Sequence, residues 1–462
     1  MKIAEHLTRT NRWWTAGKVD AHLLPALARA ELPALCAAIR RAPVLSLVGL
    51  RRMGKTTLIY GAIQRLMAEG TPPKRILYID AEDPIASVSQ PKLSEYIAAY
   101  LDEVLQEPIS ALNGPVYVFV DEAHRIAGWH ADIKALMSYD IGIQWVVISS
   151  HKTMLYKGAR LSLLGRVENM LLPPLDFQAF CRFYADRNPR VNISPYLEVL
   201  PRACALTDPL PYAAALADAM PVLEPVKQSV LRALREYMAA GAYPEFDGDA
   251  ARWRRSWVQE LLPHMLYHDI LALGGVKNPD VLLTTLAAIA QDNGEAFSFT
   301  ALANAMGVDT VTIQGYLSQL QRAGLILVQE NYVEVSGRVI RKNKKLYIAD
   351  SGLLCALRRL LPGEAEAELA STCVLMAART FAERELFGLR YWRDEQREVE
   401  LIIDKGGSAL PIAVAYDEKA STASSLKAFC GRFSAEASLI ITRDELAVTG
   451  TVVRLPLWLL RV

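Results

Sequence analysis

The run Val44-Leu45-Ser46-Leu47-Val48-Gly49-Leu50-Arg51-Arg52-Met53-Gly54-Lys55-Thr56-Thr57 decides the fold. A short apolar strand leads into a loop bounded by two glycines, and an amphipathic stretch opens at Leu58-Ile59. Strand, G-x-x-x-x-G-K-[ST] loop and helix start form the context in which backbone amides cradle phosphates. Gly49 and Gly54 let those amides curl around the β-phosphate, Lys55 reaches the β- and γ-phosphates, and the Thr56 hydroxyl holds magnesium. Arg51, Arg52, Met53 and Thr57 complete the nucleotide-binding loop. The expectation is a chain that binds ATP with Mg2+.

A second apolar run, Val116-Tyr117-Val118-Phe119-Val120, ends in Asp121-Glu122. This is the Walker B arrangement: Asp121 serves the magnesium ion and Glu122 polarises the water that attacks the γ-phosphate. Many buried strands end in one acidic residue, but two adjacent carboxylates following a phosphate loop favour hydrolysis over binding alone.

At 462 residues the chain is too long for one core and implies roughly three or four domains. A formal charge of +1 excludes a general basic field, so affinity for nucleic acid has to come from local patches. The six cysteines are widely spaced with no C-x-x-C pair, which argues against zinc and against a disulfide framework. The opening Met1-Lys2-Ile3-Ala4-Glu5-His6 has no apolar signal core, and no run approaches the roughly 18 apolar residues that span a bilayer. A cytoplasmic protein without membrane attachment is expected.

Residues 1–40 read as a helical lead-in whose Trp13-Trp14 packs on the next module. Over 41–175, short apolar strands alternate with helices, the pattern of a parallel sheet covered on both faces. The predicted strands are Val44–Val48, Arg75–Asp80, Val116–Asp121, Gln144–Ser149 and Val167–Leu172. Residues 176–250 are Ala/Leu-rich and helical, as in a small lid. Two readings stand for its Gly241-Ala242-Tyr243-Pro244 turn: a plain loop, or a contact of Tyr243 and Pro244 with the adenine.

Over 251–345 the spacing predicts a winged helix-turn-helix. Ser298 caps one helix, Gly307-Val308-Asp309 turns, Thr310 to Arg322 is a second helix, and Leu325-Ile326-Leu327-Val328 starts a strand. Thr310, Thr312 and Gln314 would face a major groove, and Arg338, Arg341, Lys342, Lys344 and Lys345 form a basic cluster able to contact DNA phosphates. Winged helices also dock proteins, and lysine runs are often merely solvated. Arg252, Arg254 and Arg255, interleaved with Trp253 and Trp257, could extend the patch, although the tryptophans suit packing better. The last segment, 346–462, returns to α/β character, with a hairpin through Lys405-Gly406-Gly407-Ser408.

These landmarks together resemble the prokaryotic AAA+ ATPases that carry a winged helix and a C-terminal restriction-endonuclease-like domain. The Gly-Leu-Arg-Arg-x-Gly-Lys-Thr-Thr loop, Asp121-Glu122-Ala123-His124, Leu164-Gly165-Arg166 before Leu172-Pro173-Pro174-Leu175, and Leu346-Tyr347-Ile348-Ala349-Asp350-Ser351-Gly352-Leu353 occur in that order. The resemblance implies that Ser149 is the sensor that orients the attacking water. It also implies that Arg166, with Arg160 in reserve, is an arginine finger reaching a neighbour's nucleotide. A finger in trans implies a closed homo-oligomer, taken as a hexameric ring.

Relatives of this type carry a Glu-Val-Asp strand and an Ile-Glu-Val-Lys strand. Here Glu398-Val399-Glu400 keeps the first acidity, but Ile412-Ala413-Val414-Ala415 puts alanine at both later positions. Glu418 and Lys419 fall off the strand, and Glu368 or Glu383 would be the more N-terminal acid. The implied domain is a nuclease fold without nuclease activity. The expectation is an α/β chain comprising a P-loop AAA+ sheet, helical lid, winged helix and degenerate nuclease-like domain. It would couple ATP hydrolysis to DNA remodelling as a translocase, helicase or branch-migration motor. The alternatives are an ATP-dependent signalling or defence switch, or a protein-remodelling ATPase that docks partners on the winged helix.

Overall fold

The apolar runs of the N-terminal half fold as strands: β1 Val44–Val48, β2 Ile76–Asp80, β3 Val116–Asp121, β4 Ile143–Ser149 and β5 Val167–Leu171. The computed structural model describes residues 3–462 except 26, 84–89, 140–141, 151–162, 164, 272–275, 277, 333–343, 362, 395, 418–420 and 434. The strands pair in parallel in the order β2-β3-β4-β1-β5. β1 and β3 are buried at every position, as strands covered on both faces must be. The five-stranded parallel sheet expected from the sequence is therefore present, with boundaries differing by one residue or none.

Contacts within the chain are densest in two compact units, Met1–Pro174 and Leu175–Val462. In the first, the N-terminal segment covers the exposed edge of the sheet. Asn11 donates to the Tyr78 carbonyl at 2.9 Å and accepts from the Tyr78 amide at 2.6 Å, taking the place of a neighbouring strand. The indoles of Trp13 and Trp14 both donate to the Ile76 carbonyl, at 3.1 and 2.8 Å. An unpaired β2 would otherwise present these groups as a template for another chain.

The second unit opens with helices that include Phe177–Arg187, Pro209–Leu223 and Lys227–Ala240. Helices Pro279–Gln291, Phe299–Met306 and Thr310–Arg322 follow, and β7 (Ile326–Asn331) and β8 (Lys344–Ile348) pair antiparallel behind them. A short β6 (Ala296–Phe297) lies on the far side of β8. Gly307, at φ 66°, ends one helix and Asp309 caps the next through the Thr312 amide. The boundary expected at 345/346 falls inside β8. β7 also pairs in parallel with β9 (Gly388–Arg393) through Glu330 and Asn331. One nine-stranded sheet therefore runs β13-β14-β12-β11-β10-β9-β7-β8-β6. Its remaining strands are β10 Glu398–Asp404, β11 Ala409–Ala415, β12 Ser438–Thr442, β13 Ala447–Thr449 and β14 Val452–Pro456.

Two motifs that stand far apart in sequence form one joint in this unit. Gly241 (φ 78°) follows the helix Lys227–Ala240, and a Cβ there would lie 2.1 Å from Asp350 Oδ1. The Asp350 carboxylate accepts from the Ala242 amide at 2.9 Å and, as the cap of helix Ser351–Arg358, from the Leu353 amide at 3.0 Å. Gly352 is equally constrained, since a Cβ would meet the Ala240 carbonyl at 2.1 Å. Burial pushes the Asp350 carboxyl up to about 6, against the pull of those backbone amides.

Asp350→Ala should cost about 2–4 kcal/mol, combining a lost cap with a buried unpaired amide, as a urea melt would read. The raised pKa also has a signature. An acid that binds its proton more tightly when folded contributes most at low pH, and the contribution is lost as pH rises from about 4 to about 6. Wild type should lose stability over that window relative to Asp350→Asn, compared melt by melt.

Candidate nucleotide-binding site

The parallel register lines up the C-terminal ends of β1, β4 and β3, and the loops leaving them build the site. After β1 the chain turns through the phosphate loop into helix Lys55–Ala68, whose first amides have no intrahelical partner and point outward. Gly54 sits at φ 79°, and Arg52, unusually for a side-chain-bearing residue, at φ 61°. Gly49 serves close approach rather than a positive φ: a Cβ there would lie 2.8 Å from the Leu172 carbonyl.

Lys55 is buried, and its ammonium donates to the Leu50 carbonyl at 3.0 Å and the Ser150 hydroxyl at 3.1 Å. Burial pulls its pKa down, opposed by the Glu122 and Asp121 carboxylates. Thr56 Oγ1 donates to Asp121 Oδ2 at 2.7 Å, and the Tyr78 hydroxyl donates to the same oxygen at 2.9 Å. Burial raises the Asp121 pKa, and the neighbouring Glu122 carboxylate raises it further. A hydroxyl and a carboxylate side by side are the hard oxygen donors that Mg2+ takes when phosphates and water complete its shell. Among the described residues no group of three or more His, Cys, Asp or Glu is placed to hold a metal by itself. Thr56 and Asp121 therefore fit a nucleotide-borne magnesium ion rather than an all-protein cage.

Glu122 occupies the left-handed region at φ 47°. Its carboxylate accepts from the Ser150 amide at 3.0 Å and from the Ser150 hydroxyl, and lies 3.3 Å from His124 Nδ1 and 4.0 Å from Lys55 Nζ. Burial alone would raise its pKa. The His124 contact, the Lys55 charge and the two Ser150 donors outweigh that and hold it well below the usual carboxylate range. Ser149 is fully buried with its hydroxyl 3.1 Å from His124 Nδ1. Lys55, Asp121, Glu122, Ser149 and Thr56 are thus brought together as a set.

Sequence reading missed several residues of this set. Ser150 links Lys55 to Glu122 but stands one place beyond the expected sensor. Glu82 and Arg125 belong to loops without a motif of their own, and His124, the last residue of the Asp121-Glu122-Ala123-His124 landmark, carries no expected role there. Arg29 reaches in from the N-terminal segment, donating to the Met53 carbonyl at 3.0 Å, the Pro173 carbonyl at 2.8 Å and Glu31 at 2.8 Å. That contact braces the phosphate loop from behind.

Arg166 is exposed and immediately precedes β5. The pairing of Val44 with Val167 puts it at the opposite end of the strands from the phosphate loop, about 16 Å away at 3.3 Å per residue. Arg166 therefore does not enter its own chain's site. Arg160 lies outside the described residues.

The other expected contacts lie in the second unit. Tyr243 is buried, its ring set edge-on to Trp257 at 4.8 Å and close to Trp253. Tyr243 is thus a packed side chain of this unit, with half-buried Pro244 beside it. Trp253 and Trp257 belong to the same core cluster rather than to a basic surface. Thr310 and Thr312 are half-buried, the Thr312 hydroxyl donates to Asp309 at 2.7 Å, and Gln314 is exposed. Arg338, Arg341 and Lys342 fall outside the described residues. Lys344 pairs with Glu330 at 2.8 Å. Lys345 corrects the expectation: it is 5% exposed, ion-paired to Glu398 and 5.4 Å from the Tyr391 ring, so it is not a phosphate-facing side chain.

Lys345 instead lines a cavity of about 400 Å³ with Glu295, Glu368, Glu398, Glu400 and Asp417. The alanines read as replacements for a nuclease carboxylate and lysine face elsewhere. Ala413 and Ala415 pack with Phe429 in the core, and β11 turns Val414 toward the cavity. Glu383 pairs with Arg379 along its helix.

Residues 41–181 match the AAA domain family, and residues 231–364 match a domain of unknown function (DUF8612). The latter span includes both halves of the Gly241–Asp350 joint. An uncharacterized protein of Haemophilus influenzae is 23% identical over 382 residues, covering 80% of this chain and 81% of its own length. An uncharacterized protein of Mycobacterium tuberculosis is 24% identical, covering 80% of this chain and 69% of its own. Among solved structures, the Walker-type ATPase of Pyrococcus abyssi aligns over 73% of this chain and 99% of its own at 15% identity, with a TM-score of 0.40. No helix among the described residues is long and apolar enough to cross a membrane.

Arg29→Ala should destabilise the first unit by about 3 kcal/mol, because it leaves Glu31 and the Met53 carbonyl without their shared partner. Thermal unfolding would read the loss. Residues 41–181, which hold the five-stranded sheet and the phosphate loop, are thus similar to the AAA domain family.

Proposed function

We propose that this chain is a magnesium-dependent ATP hydrolase. The observation that carries the reading is the convergence of Lys55, Thr56 and Asp121 at the mouth of the phosphate loop, with the Thr56 hydroxyl 2.7 Å from the Asp121 carboxylate. Helix Lys55–Ala68 would take the β-phosphate on its first amides, and Lys55 would exchange the Leu50 carbonyl and Ser150 for phosphate oxygens. Magnesium, when bound, neutralises phosphate charge. Hydrolysis joins a water oxygen to the γ-phosphorus and breaks its bond to the bridging oxygen. ADP leaves with that electron pair, and the proton of the water passes to Glu122. Ser149 orients the water through His124.

The larger reading is that hydrolysis is coupled to DNA binding and remodelling by a homo-oligomer. The helix pair Phe299–Met306 and Thr310–Arg322 with the β7–β8 hairpin supports a winged helix, with Gln314 exposed on the second helix and Lys344 half-buried beside Glu330. The last segment would be a nuclease-like domain without activity. A nucleotide switch with slow turnover is the second reading. Its support is the Glu122 carboxylate, which is already engaged by the Ser150 amide and hydroxyl and by His124.

Glu122→Gln should keep ATP affinity while turnover falls by at least about 10²-fold, as expected for a lost general base. Phosphate release by both proteins, titrated with single-stranded, duplex and four-way junction DNA at low salt, tests the coupling. Stimulation by one DNA form supports the motor, whereas slow turnover indifferent to DNA supports the switch.

A further inference from the structure

One carboxylate joins three loops on the phosphate side of the sheet. Glu82, just beyond β2, accepts from Arg51 of the phosphate loop through both oxygens, at 3.2 and 3.3 Å. Its Oε1 also accepts from Arg125, beyond β3, at 2.7 Å. The three side chains are only 21, 31 and 26% exposed, in chain order. Glu82 is itself oriented by its amide, which donates to Asp80 at 2.9 Å.

The position of this cluster relative to a triphosphate follows from Lys55. Its ammonium rests on the carbonyl of Leu50, the residue before Arg51. Arg51, which pairs with Glu82, thus directly follows the residue whose carbonyl holds the ammonium. The first amides of helix Lys55–Ala68 take the β-phosphate and the ammonium bridges to the γ-phosphate. The γ-phosphate would then stand between the ammonium and the Arg51–Glu82–Arg125 bridge. We propose that Arg51 and Arg125 are catalytic ligands of the γ-phosphate supplied by the same chain, held on Glu82 until ATP arrives.

The inference rests on the hydrolase reading. A γ-phosphate offers several charged oxygens, a better partner for two guanidiniums than one shared carboxylate, and ADP does not. In the hydrolytic step the guanidiniums meet the charge that spreads over the equatorial oxygens as the bond to the bridging oxygen breaks. The site is then complete within one chain. A ring would then serve DNA or a partner, and the chemistry does not need Arg166 of a neighbour.

The test uses the full chain with Mg2+, with calorimetric binding of ATPγS and of ADP and phosphate release across a wide range of protein concentration. Arg51→Ala and Arg125→Ala should each lower kcat by at least about 10²-fold and weaken ATPγS, while ADP affinity stays unchanged. Arg51→Lys should restore little, because one ammonium cannot make the two-point contact. Glu82→Ala, which removes the carboxylate the two guanidiniums share, should tighten ATPγS by up to about fivefold relative to ADP. That gain cannot arise from misfolding. Specific activity of the wild type should not depend on concentration. Equal losses of ADP and ATPγS affinity would make Arg51 a mere shaper of the loop and overturn the proposal. Specific activity that rises with concentration and vanishes in Arg166→Ala would overturn it in favour of a finger in trans. A wild type that binds ADP and ATPγS but never releases phosphate would instead overturn the hydrolase reading, and this inference with it.

Discussion

The parallel pairing of β4 with both β1 and β3 is the constraint on which the site depends. Parallel strands end at the same side of a sheet, so the loops after β1, β4 and β3 emerge together although they are tens of residues apart in the chain. With β4 in the middle, Ser149 and Ser150 fall between the phosphate-loop lysine and the Walker B acid. The hydrogen-bond chain from Lys55 through Ser150 to Glu122 follows directly. A one-residue slip of β4 would turn Ser149 to the other face and break its contact with His124. The buried Val, Ile and Leu of these strands therefore fix the chemistry as well as the core.

That same arrangement explains why an acid, a base and a lysine can share so little volume. Burial disfavours the charged form of each, yet Lys55 and Glu122 offset one another and Ser150 supplies two donors to Glu122. Asp121 has fewer compensations, and its pKa moves the other way. A site of this kind is best suited to receiving a charged ligand whose own groups replace the internal partners. The positive φ angles of Arg52 and Glu122 point in the same direction, since backbone of this type costs of order 1–3 kcal/mol and persists only where neighbours enforce it.

The first unit was legible because its signals are local. Five apolar runs of strand length, a loop with fixed glycine spacing and a paired acid end can each be read within a dozen residues, and the strands fall within a residue of their expected places. Glu82, Arg125 and Arg29 were not legible, because single charged residues in loops acquire meaning only when the sheet brings them to the same corner. The second unit shows the limit differently. Lys345 looks like one member of a basic run, but period-two alternation along β8 turns it inward toward Glu398 while Lys344 faces outward. The boundary expected near 345/346 lies in the middle of that same strand.

The facing of β11 carries the argument furthest. Alanine at 413 and 415 reads in sequence as the loss of a carboxylate and a lysine, but both side chains lie on the face that packs with Phe429, where a charge would have to be buried without a partner. The face that could take part in chemistry carries Val414, opposite Glu398 and Glu400 of β10 and beside Lys345 of β8. The lysine of this cavity thus comes from the hairpin that follows the helix pair, on the strand paired with β7, and β7 in turn pairs with β9. A shared sheet therefore joins the two segments, and the Lys345–Glu398 ion pair ties the hairpin to β10. β8 thus carries the cavity lysine at one end and, just past its other end, leads into Asp350 of the Gly241–Asp350 joint.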